Sequence, residues 1–176
     1  MDVLFAFLEI LKYILPSVVV FLTSYYLIKQ LMQSQERRAL LELRKKSSES
    51  INPLRLQAYE RAVLFLERIT PNSLVMRVFN NRMSARELHT ELLSNIRNEY
   101  DHNITQQIYM SSGSWEALKR AKEETIKLVN IAASKVDDSA QGIELSKVLL
   151  EMCMQLDKLP TQMAVDILKE EVKSLF

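Results

Sequence analysis

Two hydrophobic patterns divide this chain. From Val3 to about Leu31 the apolar residues follow one another with no polar face, whereas from Pro53 onward they recur at intervals of three and four. The first pattern belongs to a helix surrounded by apolar material, the second to helices with one face in a core. Between Lys12 and Lys29 the stretch YILPSVVVFLTSYYLI holds no charge. As a helix it would be roughly 24 Å long. That is short of a hydrocarbon core of about 30 Å, and the difference closes if both lysines reach for the interfaces and VLFAFLEIL adds apolar surface upstream. Tyr25 and Tyr26 then fall toward one interface, Glu9 toward the other, and Pro16 interrupts the hydrogen-bond ladder inside the span.

A cleaved signal peptide is the main rival, but its leading region should be basic, and here it carries Asp2 and Glu9 with no small-residue cleavage site after Leu31. An in-plane interfacial helix needs a charged face, which this stretch lacks. A retained single span is therefore expected. Lys29, Arg37, Arg38, Arg44, Lys45 and Lys46 crowd its C-terminal side, which orients the rest of the chain toward the cytoplasm and offers contacts to anionic headgroups.

The spacing predicts a stalk continuing to about Lys46, a break in SSESIN, and an all-α region after it. A helix over 53–70 presents Tyr59, Ala62, Val63, Leu66 and Ile69 on one face. Pro71, with Thr70 as cap, opens a short helix to Val78, and Asn80-Asn81 marks a turn. Ser84 with Glu87 forms a capping box that starts a long helix to about Tyr109. After the SSGS connection around Gly113, Trp115, Leu118, Ala121, Thr125, Val129, Ala132 and Val136 form a continuous stripe. Asp138 or Ser139 would cap the next helix, carrying Leu145 to Leu156, and Pro160 begins the last, ending near Leu175 and Phe176. That makes about five helices in short succession, to be packed as a bundle or as a short array of hairpins. The expected organisation is an anchor over 1–31, a basic juxtamembrane stalk and linker over 32–52, and a helical domain over 53–176.

The chain has 176 residues, only two glycines and four prolines, and a net charge of +1. Few glycines and prolines favour helices, and about 130 residues after the anchor suffice for one core. The basic block is local, so a nucleic-acid partner, which calls for a basic face on the domain, is not expected. Cys153, the single cysteine, lies between Met152 and Met154. It reads as a small buried hydrophobe, since alone it makes neither an internal disulfide nor a CxxC site.

Candidate chemistry is sparse. Glu99-x-x-His102 has the spacing of helical carboxylate-bridged metal sites, but such a site needs a second Glu-x-x-His, and His89, the other histidine, is preceded at that position by Arg86. No metal or cofactor is expected. Asn95, Glu99, His102 and Gln106 instead mark a polar stripe, either facing solvent or forming a seam for another helix. Trp115 reads as an inter-helix anchor or an exposed hot spot. Two isolated glycines supply neither a phosphate loop nor a dinucleotide loop, and HExxH, GxSxG and EF-hand patterns are missing.

The stretches INPLRLQAYERAVLFLERITPNSLVMRV, LLSNIRNEYDHNITQQIYMSSGSWEALKRAKEETIKLVNIAA and VDILKEEVKSLF resemble an uncharacterised family of small membrane-anchored helical proteins from the Bacteroidota. The resemblance implies a bacterial cytoplasmic membrane and transfers no functional residue. The expectation is a non-enzymatic adaptor or assembly subunit, held in the bilayer and binding another protein or a further copy of itself through the helical domain. A lipid-binding module at the membrane surface is the alternative, and a membrane-associated enzyme a more distant one. An adaptor predicts a contiguous exposed apolar patch on the domain.

Overall fold

The three-and-four spacing becomes six α-helices and one 3-10 helix in the computed structural model, which describes the backbone of residues 2–175. The side chains of residues 2–11, 15, 38–41 and 43–50 lie outside the described residues. The elements are α1 (Asp2–Ile69), α2 (Pro71–Val78), α3 (Ala85–Asn103), a 3-10 turn (Ile104–Ile108), α4 (Ser112–Ala133), α5 (Gly142–Met154) and α6 (Pro160–Leu175). The protein is all-α, and it separates into two compact units, Met1–Ile51 and Asn52–Phe176.

In the first unit, Lys12–Arg37 contains an 18-residue window of mean hydropathy 1.4 and is long and apolar enough, by length and composition, to cross a membrane. Its described apolar side chains, such as Val20, Phe21 and Leu27, are exposed. The hydroxyls of Ser17 and Thr23 fold back onto the carbonyls of Ile14 (2.7 Å) and Val19 (2.9 Å). These two hydroxyls are thereby satisfied within the helix itself.

The second unit is a bundle. Residues 52–69 of α1 run antiparallel to α6, tied by a Tyr59 Oη to Glu171 Oε1 bond of 2.7 Å near one end and a Thr70–Thr161 hydroxyl pair of 2.9 Å near the other. On another side the same segment meets α3, where Phe65 and Tyr100 stack edge to face at 6.1 Å. α4 is central and packs on α3, α5 and α6, which closes the helices around one core instead of leaving an open array. Tyr59, Phe65, Leu66, Leu88, Leu92, Ile96, Leu118, Leu145, Leu149 and Leu168 are almost wholly buried there. Among the described residues, no buried side-chain nitrogen or oxygen lacks a hydrogen-bond partner.

The two longer connections clamp each other. Ala85 N donates to Ala140 O (2.8 Å) and Gly142 N donates to Met83 O (2.8 Å), with an isolated bridge between Ser84 and Gln141. The first amides of α3 and α5, which have no partner inside their own helices, are satisfied in this way by the opposite loop. A Cβ on Gly142 would stand 3.0 Å from the backbone oxygen of Met83, a tight contact that favours glycine at this close approach.

Several expected boundaries move. No break occurs at SSESIN: α1 is continuous through Pro53, which withdraws one backbone donor, while Ser, Glu and Asn weaken a helix only by tenths of a kcal/mol each. The helix begun by the Ser84–Glu87 capping box stops at Asn103 and not Tyr109, because the Asn103 side chain donates back to Glu99 O (2.8 Å) and accepts from Arg61, and the chain tightens into the 3-10 turn. The SSGS stretch is no connection. Ser111 caps α4 by accepting from Ser114 N at 3.1 Å, and Gly113 lies in the first turn. Neither Asp138 nor Ser139 caps α5; Asp137 forms a local turn with Ser139, and the helix starts three residues after Ser139. Thr70 occupies the cap position of α2, but its hydroxyl bonds Leu66 O and Thr161 in place of an α2 amide. The expected terminal Phe176 lies outside the described residues.

Candidate functional site

Two depressions flank the α1 segment of the bundle, and Leu64, 58% exposed, stands on the ridge between them. The first is an open groove of about 590 Å³ between α1 and α6, floored by Val63, Leu168 and Val172 and edged by Leu56 and Leu64. Its lining is almost entirely apolar, with charges confined to the rims: Glu60 and Glu67 on the α1 side, Lys169 and Lys173 on the α6 side. Leu56 and Leu64 stand 40% and 58% exposed beside that apolar floor.

Beside the groove sits a polar knot. Glu171 on α6 accepts from Tyr59 Oη of α1 and, through its other oxygen, from the hydroxyls of Ser111 (2.7 Å) and Ser114 at the start of α4. Burial pushes the Glu171 carboxyl up, but the bonds from Ser114, Ser111 and Tyr59, with the nearby charge of Arg55, outweigh it and hold the group below its ordinary value. The same arrangement, through burial first and the Glu171 bond second, raises the Tyr59 phenol. Three helices are pinned by one carboxylate placed at the positive end of α4. The same carboxylate accepts from both serines and from Tyr59, so the knot ties α1, α4 and α6 together.

The second depression is a polar cleft of about 330 Å³ between α1 and α3. Asn95, Glu99 and His102, expected on one stripe, do line it, together with Arg61, Arg68 and Asn103. Glu99 is bound to Arg68, with contacts of 2.6 and 2.7 Å, and lies 3.5 Å from Arg77. The Nδ1 atom of His102 lies 2.6 Å from Asn98 O and donates to it. The Glu99 carboxylate thus faces two guanidinium groups, an arrangement that opposes a cation, and no cluster of three metal-binding side chains occurs among the described residues. Gln106 falls in the 3-10 turn, which takes it off the stripe, and it does not line the cleft.

Trp115 is 7% exposed and packs on Tyr100 at 5.8 Å, with Lys122 Nζ 4.0 Å above the Tyr100 ring. It anchors α4 to α3 and is no surface contact. Cys153 is half-buried, and burial raises its thiol. In the N-terminal unit, Lys29 and Arg37 are exposed and share a shallow pocket with Tyr25 and Tyr26. The side chains of Arg38, Arg44, Lys45 and Lys46 lie outside the described residues.

Fold and surface together define a small all-helical bundle without a recognised catalytic motif, carrying one apolar groove at an α1–α6 seam. The chain belongs to a Family of unknown function (DUF7935), whose profile matches residues 5–175. No curated protein and no solved structure matches it.

Proposed function

We propose that this protein is a non-enzymatic, membrane-anchored interaction module that engages protein through its helical bundle. The single observation that carries the reading is the apolar groove between α1 and α6, with Leu56 and Leu64 exposed at its edge. Leu56 and Leu64 are 40% and 58% exposed, so burying what remains open against a partner is worth about 1.5–3 kcal/mol of apolar transfer before the losses of association. The Lys12–Arg37 segment is the anchor, and the excess of lysine and arginine after it puts the bundle on the cytoplasmic side of a bacterial inner membrane. Lys29 and Arg37, exposed beside Tyr25 and Tyr26, meet headgroups at that interface.

The test uses the full-length chain and a Leu64→Arg variant. Leu64 is exposed, so the charge leaves folding intact, which the melting of Trp115 fluorescence checks. Both proteins should stay with membranes through alkaline carbonate, and wild type alone should hold an associated protein, or another copy, after mild detergent extraction. Release by carbonate would remove the anchor. Equal association of wild type and variant would remove the groove as the contact.

A further inference from the structure

The groove carries a charge pattern that identifies what covers it, and we infer that its occupant is a second copy of this chain in a parallel two-fold dimer. This rests on the groove being an interaction surface and names the partner.

The rims differ in sign: Glu60 and Glu67 on the α1 side, Lys169 and Lys173 on the α6 side. Among the described residues, Glu60, Glu67 and Lys169 make no ion pair, and Lys173 pairs only with Glu170, four-fifths of a turn away on its own helix, where both side chains are over 70% exposed. The Tyr59–Glu171 and Thr70–Thr161 bonds fix the antiparallel register of the two helices, and in that register Glu60 lies at a height between Lys169 and Lys173.

When two copies meet face to face, a two-fold axis must lie in the plane between them. An axis running across the groove keeps each rim on its own side, so Glu60 and Glu67 would face their own copies and the lysines theirs. Like charges would then oppose one another along both rims. An axis running along the groove exchanges the rims while preserving height. Glu60 of each copy then stands opposite Lys169 and Lys173 of its partner, twice by symmetry, with Leu56 and Leu64 turned onto the partner's apolar floor in an isologous contact. The resulting seam is an intermolecular four-helix arrangement of α1, α6 and their symmetry mates.

Two doubly reversed full-length variants test this. One, Glu60→Lys with Glu67→Lys, makes both rims basic, and the other, Lys169→Glu with Lys173→Glu, makes both acidic. Molar mass is measured in mild detergent, and the variants are co-expressed with different affinity tags. Wild type should be dimeric, each variant alone should be monomeric, and the two together should form a mixed dimer, because opposite rims then face each other on both sides. A wild-type monomer that stays in the membrane and retains another protein through Leu64 would overturn the dimer while leaving the interaction module standing. Dimers that survive in each variant alone, or variants that fail to pair when mixed, would also overturn it.

Discussion

The polar knot at Glu171 offers the most exacting test of how the bundle is held. Replacing Glu171 by Ala removes the acceptor of Tyr59, Ser111 and Ser114 at once, and Tyr59 and Ser114 are 2% and 1% exposed, so water cannot easily replace it. Hydrogen bonds to a charged acceptor contribute about 1.5–3 kcal/mol each, but they share one carboxylate and are not additive, so the expected loss is about 2–4 kcal/mol. Glu171→Gln retains one acceptor and should lose about half of that. The pH dependence separates charge from shape. Because the folded carboxyl lies below its ordinary value of about 4.5, the unfolded chain binds more protons in the interval beneath that value. Stability contributed by Glu171 is therefore complete above that interval and declines as the pH falls through it. The assay is urea unfolding of the full chain in mild detergent, followed by Trp115, the only tryptophan, whose burial in the bundle makes its emission report on that unit. Wild type should lose stability on acidification more steeply than Glu171→Gln. Parallel acid limbs for the two proteins, or an alanine variant within about 0.5 kcal/mol of wild type, would refute the reasoning.

The two glycines should respond in opposite directions. Gly142→Ala forces the methyl against Met83 O and should destabilise by about 1–3 kcal/mol, whereas at Gly113 the nearest atom is Ser111 Oγ at 3.8 Å and alanine should stabilise by about 0.4–1 kcal/mol; the same unfolding assay reads both. Glu99→Gln should change stability by no more than about 1 kcal/mol, since Arg68 beside it is well exposed, and zinc titration should leave the wild-type midpoint in place; a zinc-dependent rise abolished by Glu99→Gln would reinstate a metal site.

Helix identity was legible because burial imposes a period on the sequence. The start of α2 at Pro71, the capping box at Ser84 and the start of α6 at Pro160 are local features, and each appears where its residues predict. The displaced boundaries depend on distant partners. Asn103 looks like any polar residue of a long helix until Arg61, on another helix, supplies a donor to its side chain. The start of α5 is decided at Met83 and Ala85, on the far side of the loop clamp, and nothing in the residues 137–141 records them.

The site was less legible for a related reason. The polar stripe was visible because it lies on one helix, and Asn95, Glu99 and His102 do gather in one cleft; its partners Arg61 and Arg68, which turn Glu99 from a candidate ligand into half of an ion pair, belong to α1. The apolar groove is shared between helices that are neighbours in space and distant in sequence. On α1 alone, Leu56 and Leu64 look like a broadened core face, and on α6 alone Lys169 and Lys173 look like an ordinary solvated edge. Only the register fixed by Tyr59–Glu171 and Thr70–Thr161 sets Glu60 level with the two lysines. A single helix with Glu on it has no preferred symmetry; two antiparallel helices with opposite charges do, and it is their pairing that makes like copies complementary.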